Sequence, residues 1–190
     1  MFGFYLRKKD YTKAEKYLSY FSNHDSMKKI YQGRLYQEQG RTEEAYEMYQ
    51  NVIFSEYSKL NMAFSMMAVL ANKNNDMEYA KFLAKKMSSL SQLLEMGKYN
   101  EYSPLFDIVC AEKDVEGTFQ VVKQLLENVD SLYDFRKSKL YSHMKFKGID
   151  GSVLEEVRDK IIEGCRDEEA FGYMKGYEPW EELVMKEYYP

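Results

Sequence analysis

The sequence predicts an all-α protein, an array of antiparallel helix pairs closed by an irregular C-terminal helical cap. Three observations predict it. Only three Pro and ten Gly fall in 190 residues, so few positions break a helix, while Lys, Glu, Leu, Met and Ala supply good helix formers. A small or short residue recurs four positions after a polar turn residue. Acidic pairs such as Glu43-Glu44, Glu155-Glu156 and Glu168-Glu169 gather where helices should begin, the end at which the helix dipole favours negative charge.

The recurrence sets the architecture. Asp10 precedes Ala14, Arg41 precedes Ala45, Asp76 precedes Ala80 and Asp114 precedes Thr118, at spacings of 31, 35 and 38 residues. These values bracket the period of about 34 residues of a tetratricopeptide repeat, a helix–turn–helix unit that stacks into a right-handed superhelix. The uneven remainder belongs in the loops between units, where length changes cost little. Repeats are expected over 1–130 and a helical extension packed on them over 131–190, as one continuous domain.

Taken in order, the first unit is clipped: counting back from Ala14 puts its small position at Phe2 and the first turn of its opening helix before Met1, so a preceding segment is expected. In the second, Gly33, Tyr36, Ala45 and Tyr49 hold the small and aromatic positions of the repeat. Gly33 and Ala45 let a helix over 27–39 cross closely with one over 42–54, and the two tyrosines fill the space around the crossing. Gly40 suits the left-handed helix end and Thr42 is expected to cap the next helix. The third unit carries Ala68, Ala71, Ala80 and Ala84, with a turn at Lys73-Asn74-Asn75-Asp76 rich in residues that tolerate left-handed backbone. The fourth, with Phe106, Val109, Thr118 and Val122, is degenerate, since a β-branched Thr stands where Ala is expected.

Beyond Ser131 the period blurs. A break is expected near Lys137–Lys139 and a loop at Lys147-Gly148-Ile149-Asp150-Gly151. Ser152 should cap a helix that turns Val153, Val157, Ile161 and Ile162 inward. A short helix ends at Gly176, and Pro179 opens a last helix in its first turn, with Trp180, Leu183 and Val184 on the inner face.

No catalytic or metal-binding pattern emerges. Gly148-Ile149-Asp150-Gly151 lacks the spacing and the lysine of a phosphate loop. His24 and His143 are isolated in sequence, and the basic residues around His143 read as a solvated face. Cys110 and Cys165 lack metal-ligand spacing and read as reduced thiols of a cytoplasmic protein. No cofactor and no enzymatic activity are expected. A net charge of −4 gives no basic face for a phosphate backbone, and no apolar run approaches the length of a membrane span. What remains is binding. The concave face of such an array is lined by the first helix of each unit, which places Met27, Ile30, Arg34 and Gln37, then Met62, Ser65, Val69, Asn72 and Lys73, then Ser103, Asp107 and Cys110 along a groove. Of these, Arg34, Gln37, Asn72, Lys73 and Asp107 are the polar candidates to hold a peptide or protein ligand.

Several stretches carry a resemblance. Residues 10–18, opening Asp10-Tyr11-Thr12-Lys13-Ala14, Phe135-Arg136-Lys137-Ser138, Leu140-Tyr141-Ser142-His143-Met144, and Arg166-Asp167-Glu168-Glu169 with Phe171-Gly172-Tyr173 look like the C-terminal region of helix-turn-helix transcriptional regulators of the Cro/phage-repressor type from Gram-positive anaerobes. The resemblance spans nearly the whole chain. It implies the sensing and oligomerising half of a regulator, with a homodimer among its assemblies and DNA contacted only through an N-terminal domain that this chain does not contain. A free-standing protein-interaction scaffold is the alternative the repeat alone supports.

Overall fold

The computed structural model describes residues 1–23 and 25–185; His24 lies outside the described residues. All regular structure among them is helical: α1 (Phe2–Arg7), α2 (Tyr11–Ser19), α3 (Lys28–Glu38), α4 (Thr42–Lys73), α5 (Met77–Leu93), α6 (Lys98–Ala111), α7 (Val115–Glu127), α8 (Ser152–Cys165), α9 (Glu168–Phe171) and α10 (Glu178–Met185). Short 3-10 turns cover Val129–Ser131, Asp134–Lys137, Lys139–Tyr141 and Gly172–Met174. The chain divides into two compact units, one of Met1–Lys59 with Arg136–Phe146, the other of Leu60–Phe135 with the chain from Lys147 onward.

The four predicted turns share one backbone design. In each, a residue with positive φ ends a helix: Lys9 (57°), Gly40 (75°), Asn75 (58°) and Lys113 (52°). The next N–H then reaches back to the carbonyl five residues earlier, Asp10 to Tyr5, Arg41 to Tyr36, Asp76 to Ala71 and Asp114 to Val109, at 2.8–3.0 Å. That pairing satisfies carbonyls a helix end would otherwise leave bare. The same residue opens the following helix. Asp10, Asp76 and Asp114 each accept a backbone N–H three residues on, from Lys13, Tyr79 and Gly117, which makes them side-chain caps. In the second turn the expectation for Thr42 is corrected. Arg41 holds the cap position, its carbonyl accepting from Ala45 N at 3.0 Å, and Thr42 is already the first helical residue. The Arg41 side chain has no acceptor to cap with; its guanidinium instead pairs with Glu44 (Nε to Oε2, 2.6 Å) and lies over the Tyr36 ring at 4.1 Å.

In the first unit α1 packs on α2 and α2 on α3. Its core is aromatic: Phe2, Leu6, Ala14, Leu18 and Leu35 are buried, with Tyr5, Tyr11, Tyr17, Phe21 and Tyr31 packed around them. Tyr5 stacks on Tyr17 at 5.2 Å, and Phe2 and Phe21 each meet Tyr31. Gly33 is required for packing, because a Cβ there would come within 2.7 Å of the Tyr49 ring. Residues 136–146 return to this unit, where Tyr141, 1% exposed, sits edge-on to Phe54 at 5.8 Å.

The helix expected to stop near Phe54 does not stop: α4 runs unbroken to Lys73. Nothing between Phe54 and Met62 breaks a helix, as Ser55–Asn61 contains neither Gly nor Pro. Within the second unit, Ala71 of α4, Ala80 and Ala84 of α5, and Ile108 of α6 form one tight cluster, small residues permitting close approach. The main core joins Val122 and Leu126 of α7 to Ile162 and Cys165 of α8, Met174, and Trp180 and Leu183 of α10. Trp180 is the buried anchor its position predicted, 4% exposed. The start of α8 is as predicted but its cap is not: Gly151 occupies the cap position, and Asp150 Oδ1, rather than Ser152, satisfies the first free N–H, that of Ser152 itself at 3.1 Å.

Candidate functional site

Two pockets deserve comparison by their chemistry. In the second unit, a pocket of about 570 Å³ opens between α6, α8 and α9, lined by Ser103, Phe106 and Cys110 of α6, Val157, Lys160 and Ile161 of α8, and Cys165, Ala170 and Phe171. The α6 contributors Tyr99, Ser103, Phe106 and Cys110 follow the three- and four-residue steps of one helix face. Local structure fixes that face. Gly97 enters α6 at φ 97°, and a Cβ there would come within 1.9 Å of the Ser131 carbonyl oxygen, so only glycine fits. Tyr99 N then donates to Ser131 Oγ at 2.8 Å, and Asn100 Nδ2 donates to the carbonyls of Met96 and Leu132. The first turn of α6 is thereby tied to the 3-10 segment that follows α7.

The pocket wall is apolar and aromatic. Phe171 lies 6.2 Å from Phe106 and 5.3 Å from Trp180, ring centre to ring centre. Lys160 is the one cation among its lining residues, with Nζ 3.5 Å from Glu156 Oε1. Burial pushes the Cys165 thiol up to about 12, with Cys110 adding to the shift, and burial raises Cys110 as well. Both are therefore neutral thiols near pH 7, poor nucleophiles and weak metal ligands. Behind them Tyr173, its hydroxyl also pushed up to about 12 by burial, shares a 2.8 Å hydrogen bond with Thr118. The degenerate position of the fourth unit is thus fully buried yet satisfied. Chemically, the pocket suits an apolar group with an anion near its mouth.

In the first unit a pocket of about 700 Å³ is lined by Phe2, Tyr17, Tyr20, Phe21 and Tyr31 together with Asp25 and Arg34. Among the predicted groove residues, Arg34 therefore reaches a pocket. Gln37 is exposed and its Oε1 accepts from Tyr49 OH at 3.1 Å. Lys73 stands exposed in the last turn of α4, and Asp107 is exposed on α6 but does not line the pocket beside it. Asn72 is half-buried, with a buried Oδ1 that finds no hydrogen-bond donor among the described residues. Ala14, Ala45, Ala80 and Thr118 are all buried, at 4% exposure or less; Gly33 is buried and Tyr36 half-buried.

Sequence reasoning placed Ser103 and Cys110 on the binding face and missed Lys160, Phe171 and Tyr173, which come from segments with no period to project. His143 was also misread as a solvated residue. Gln50, 7% exposed, holds it through the His143 backbone N–H (2.8 Å) and ring Nδ1 (3.0 Å), Glu43 lies 3.2 Å from Nε2, and Tyr46 stacks on the ring. Among the described residues, no three His, Cys, Asp or Glu side chains gather as a metal would need, and no helix is long and apolar enough to cross a membrane. Compared with protein-family models, with curated proteins and with solved structures, the chain matches none.

Proposed function

We propose that this chain is a tetratricopeptide-like right-handed superhelix acting as the effector-binding and oligomerising domain of a helix-turn-helix transcriptional regulator. The observation that carries the repeat reading is the fourfold turn: a left-handed residue, a capping residue, and a buried small residue four positions on, at Ala14, Ala45, Ala80 and Thr118. Such a unit closes one helix pair tightly, and stacked pairs leave the first helices to line a groove. The motifs at 135–147 and 166–173 supply the regulator reading. DNA contact belongs to a separate domain, and the groove takes a peptide or protein.

The pocket beside α6 refines the ligand. Its apolar wall suits one or two hydrophobic side chains, and Lys160 at its edge suits a carboxylate, which together describe the C-terminal end of a peptide finishing in Leu, Ile or Phe. Trp180, the sole Trp of the chain, reports on occupancy through its contact with Phe171. Titrating short peptides of that kind should change Trp180 emission saturably, with the C-terminally amidated forms and the Lys160→Glu variant binding at least tenfold more weakly. No saturable change with any such peptide contradicts the pocket reading. The reading frame upstream of Met1 tests the regulator reading: an in-frame helix-turn-helix supports it, and a closed frame with no co-purifying DNA-binding chain contradicts it. A free-standing interaction scaffold is the second reading, favoured by the repeated turns, which by themselves call for no regulator. One constitutive protein partner, captured equally with and without peptide, would distinguish it.

A further inference from the structure

The second half of α4 turns most of its large apolar side chains to solvent. Among its residues from Leu60 to Lys73, the side chains turned to solvent are Leu60 (47% exposed), Met62 (58%), Met66 (66%), Met67 (40%), Val69 (49%) and Leu70 (59%). On a helical projection at 100° per residue these fill about half of the circumference. The other half carries Ala71, which is buried, and Asn61, Phe64, Ser65, Ala68 and Asn72, which are half-buried. The Oδ1 atoms of Asn61 and Asn72 are buried without a donor among the described residues. A surface helix normally sorts its residues the opposite way, and a contiguous apolar face of this size marks an interaction surface.

We infer that this face is the contact between two copies of the chain, packed as an antiparallel helix pair about a two-fold axis. Three features select a second copy. First, no charged residue lies between Lys59 and Lys73, so the centre of the face meets its own copy without burying a charge. Second, the six exposed side chains offer roughly 600 Å² per copy, or about 1,200 Å² in all, the lower bound of stable specific interfaces. Third, a two-fold contact needs a self-complementary patch, and the three methionines of the face supply one, because their flexible thioethers repack against their own kind. The inference deepens the oligomerising part of the proposed function by naming its surface, rests on that part and on the geometry of α4, and is independent of the peptide and DNA-binding readings.

Sedimentation velocity of the whole chain from about 1 to 200 μM tests it. The expected result is a concentration-dependent approach to twice the chain mass. Met66→Glu with Val69→Glu should restore the single-chain mass throughout the range with an unchanged helical circular-dichroism spectrum, since both side chains are exposed in the single chain. Leu93→Glu, at an equally exposed apolar residue on α5 (74%), should dimerise like the wild type. A wild type that stays at single-chain mass at all concentrations overturns the inference, as does a dimer that survives the double substitution or is lost on Leu93→Glu.

Discussion

α7 and the second half of α4 belong to one unit and are similarly rich in apolar residues, yet they use them oppositely. α7 buries Val121, Val122, Leu125 and Leu126 and turns Glu116, Gln120 and Glu127 outward. α4 turns Met62, Met66 and Val69 outward and sets Asn61, Ser65 and Asn72 beside Phe64, Ala68 and Ala71 on its inner side. The first helix is complete within its own chain, held by α8 and α10. The second is finished only when something covers it. Apolar content therefore does not distinguish a core helix from an interface helix; the side on which that content lies does.

The sharpest way to break this contrast is to truncate each helix and compare the losses by urea denaturation at low protein concentration, where α4 is uncovered. Leu126→Ala should cost about 2 to 5 kcal/mol, because Leu126 is 2% exposed in the main core. Met66→Ala should change stability by less than about 0.5 kcal/mol. Equal losses would mean that α4 is packed as α7 is. A smaller effect tests a packed edge of the second half of α4. Ala80→Leu, against Ala71 and Ile108, should force the helices apart and cost about 1 to 3 kcal/mol, with unfolding again the measure; an unchanged midpoint would remove the small-residue crossing from the account.

On α7 itself, Thr118→Val keeps the shape but removes one partner of the half-buried Tyr173 hydroxyl, which keeps Cys110 beside it, and should cost about 0.5 to 1.5 kcal/mol. Thermal melts of Thr118→Val, Tyr173→Phe and the double variant should show the pair restoring part of the loss, and strict additivity would contradict the bond. The smallest expected effect is at the caps: Asp76→Ala and Asp114→Ala should each lower stability by about 1 kcal/mol, read from the same melts.

The parts of this fold visible in the sequence are those fixed by neighbours along the chain. Asp10, Asp76 and Asp114 announce helix starts because a short carboxylate can reach an N–H three residues on, and the small residue behind each is fixed in register by the helix it caps. The continuity of α4 was equally local, written in the lack of a breaker over Ser55–Asn61, but the repeat period argued for a turn there and outweighed it. The rest is decided at long range. The return of His143 to Gln50, 93 residues away, and the meeting of Thr118 with Tyr173, 55 residues away, have no local signature. Of the candidate site, the α6 face was legible from the period, whereas Lys160 and Phe171 arrive on segments whose docking no pattern encodes.

Hydrogen exchange measured at low and high protein concentration bears most directly on the central contrast. Amides of α7 should show high protection that does not depend on concentration, because their cover lies in the same chain. Amides of Leu60–Lys73 should exchange readily in dilute solution and gain at least tenfold protection as concentration rises. Protection over Leu60–Lys73 that matches α7 and ignores concentration would contradict an α4 face completed by a second copy.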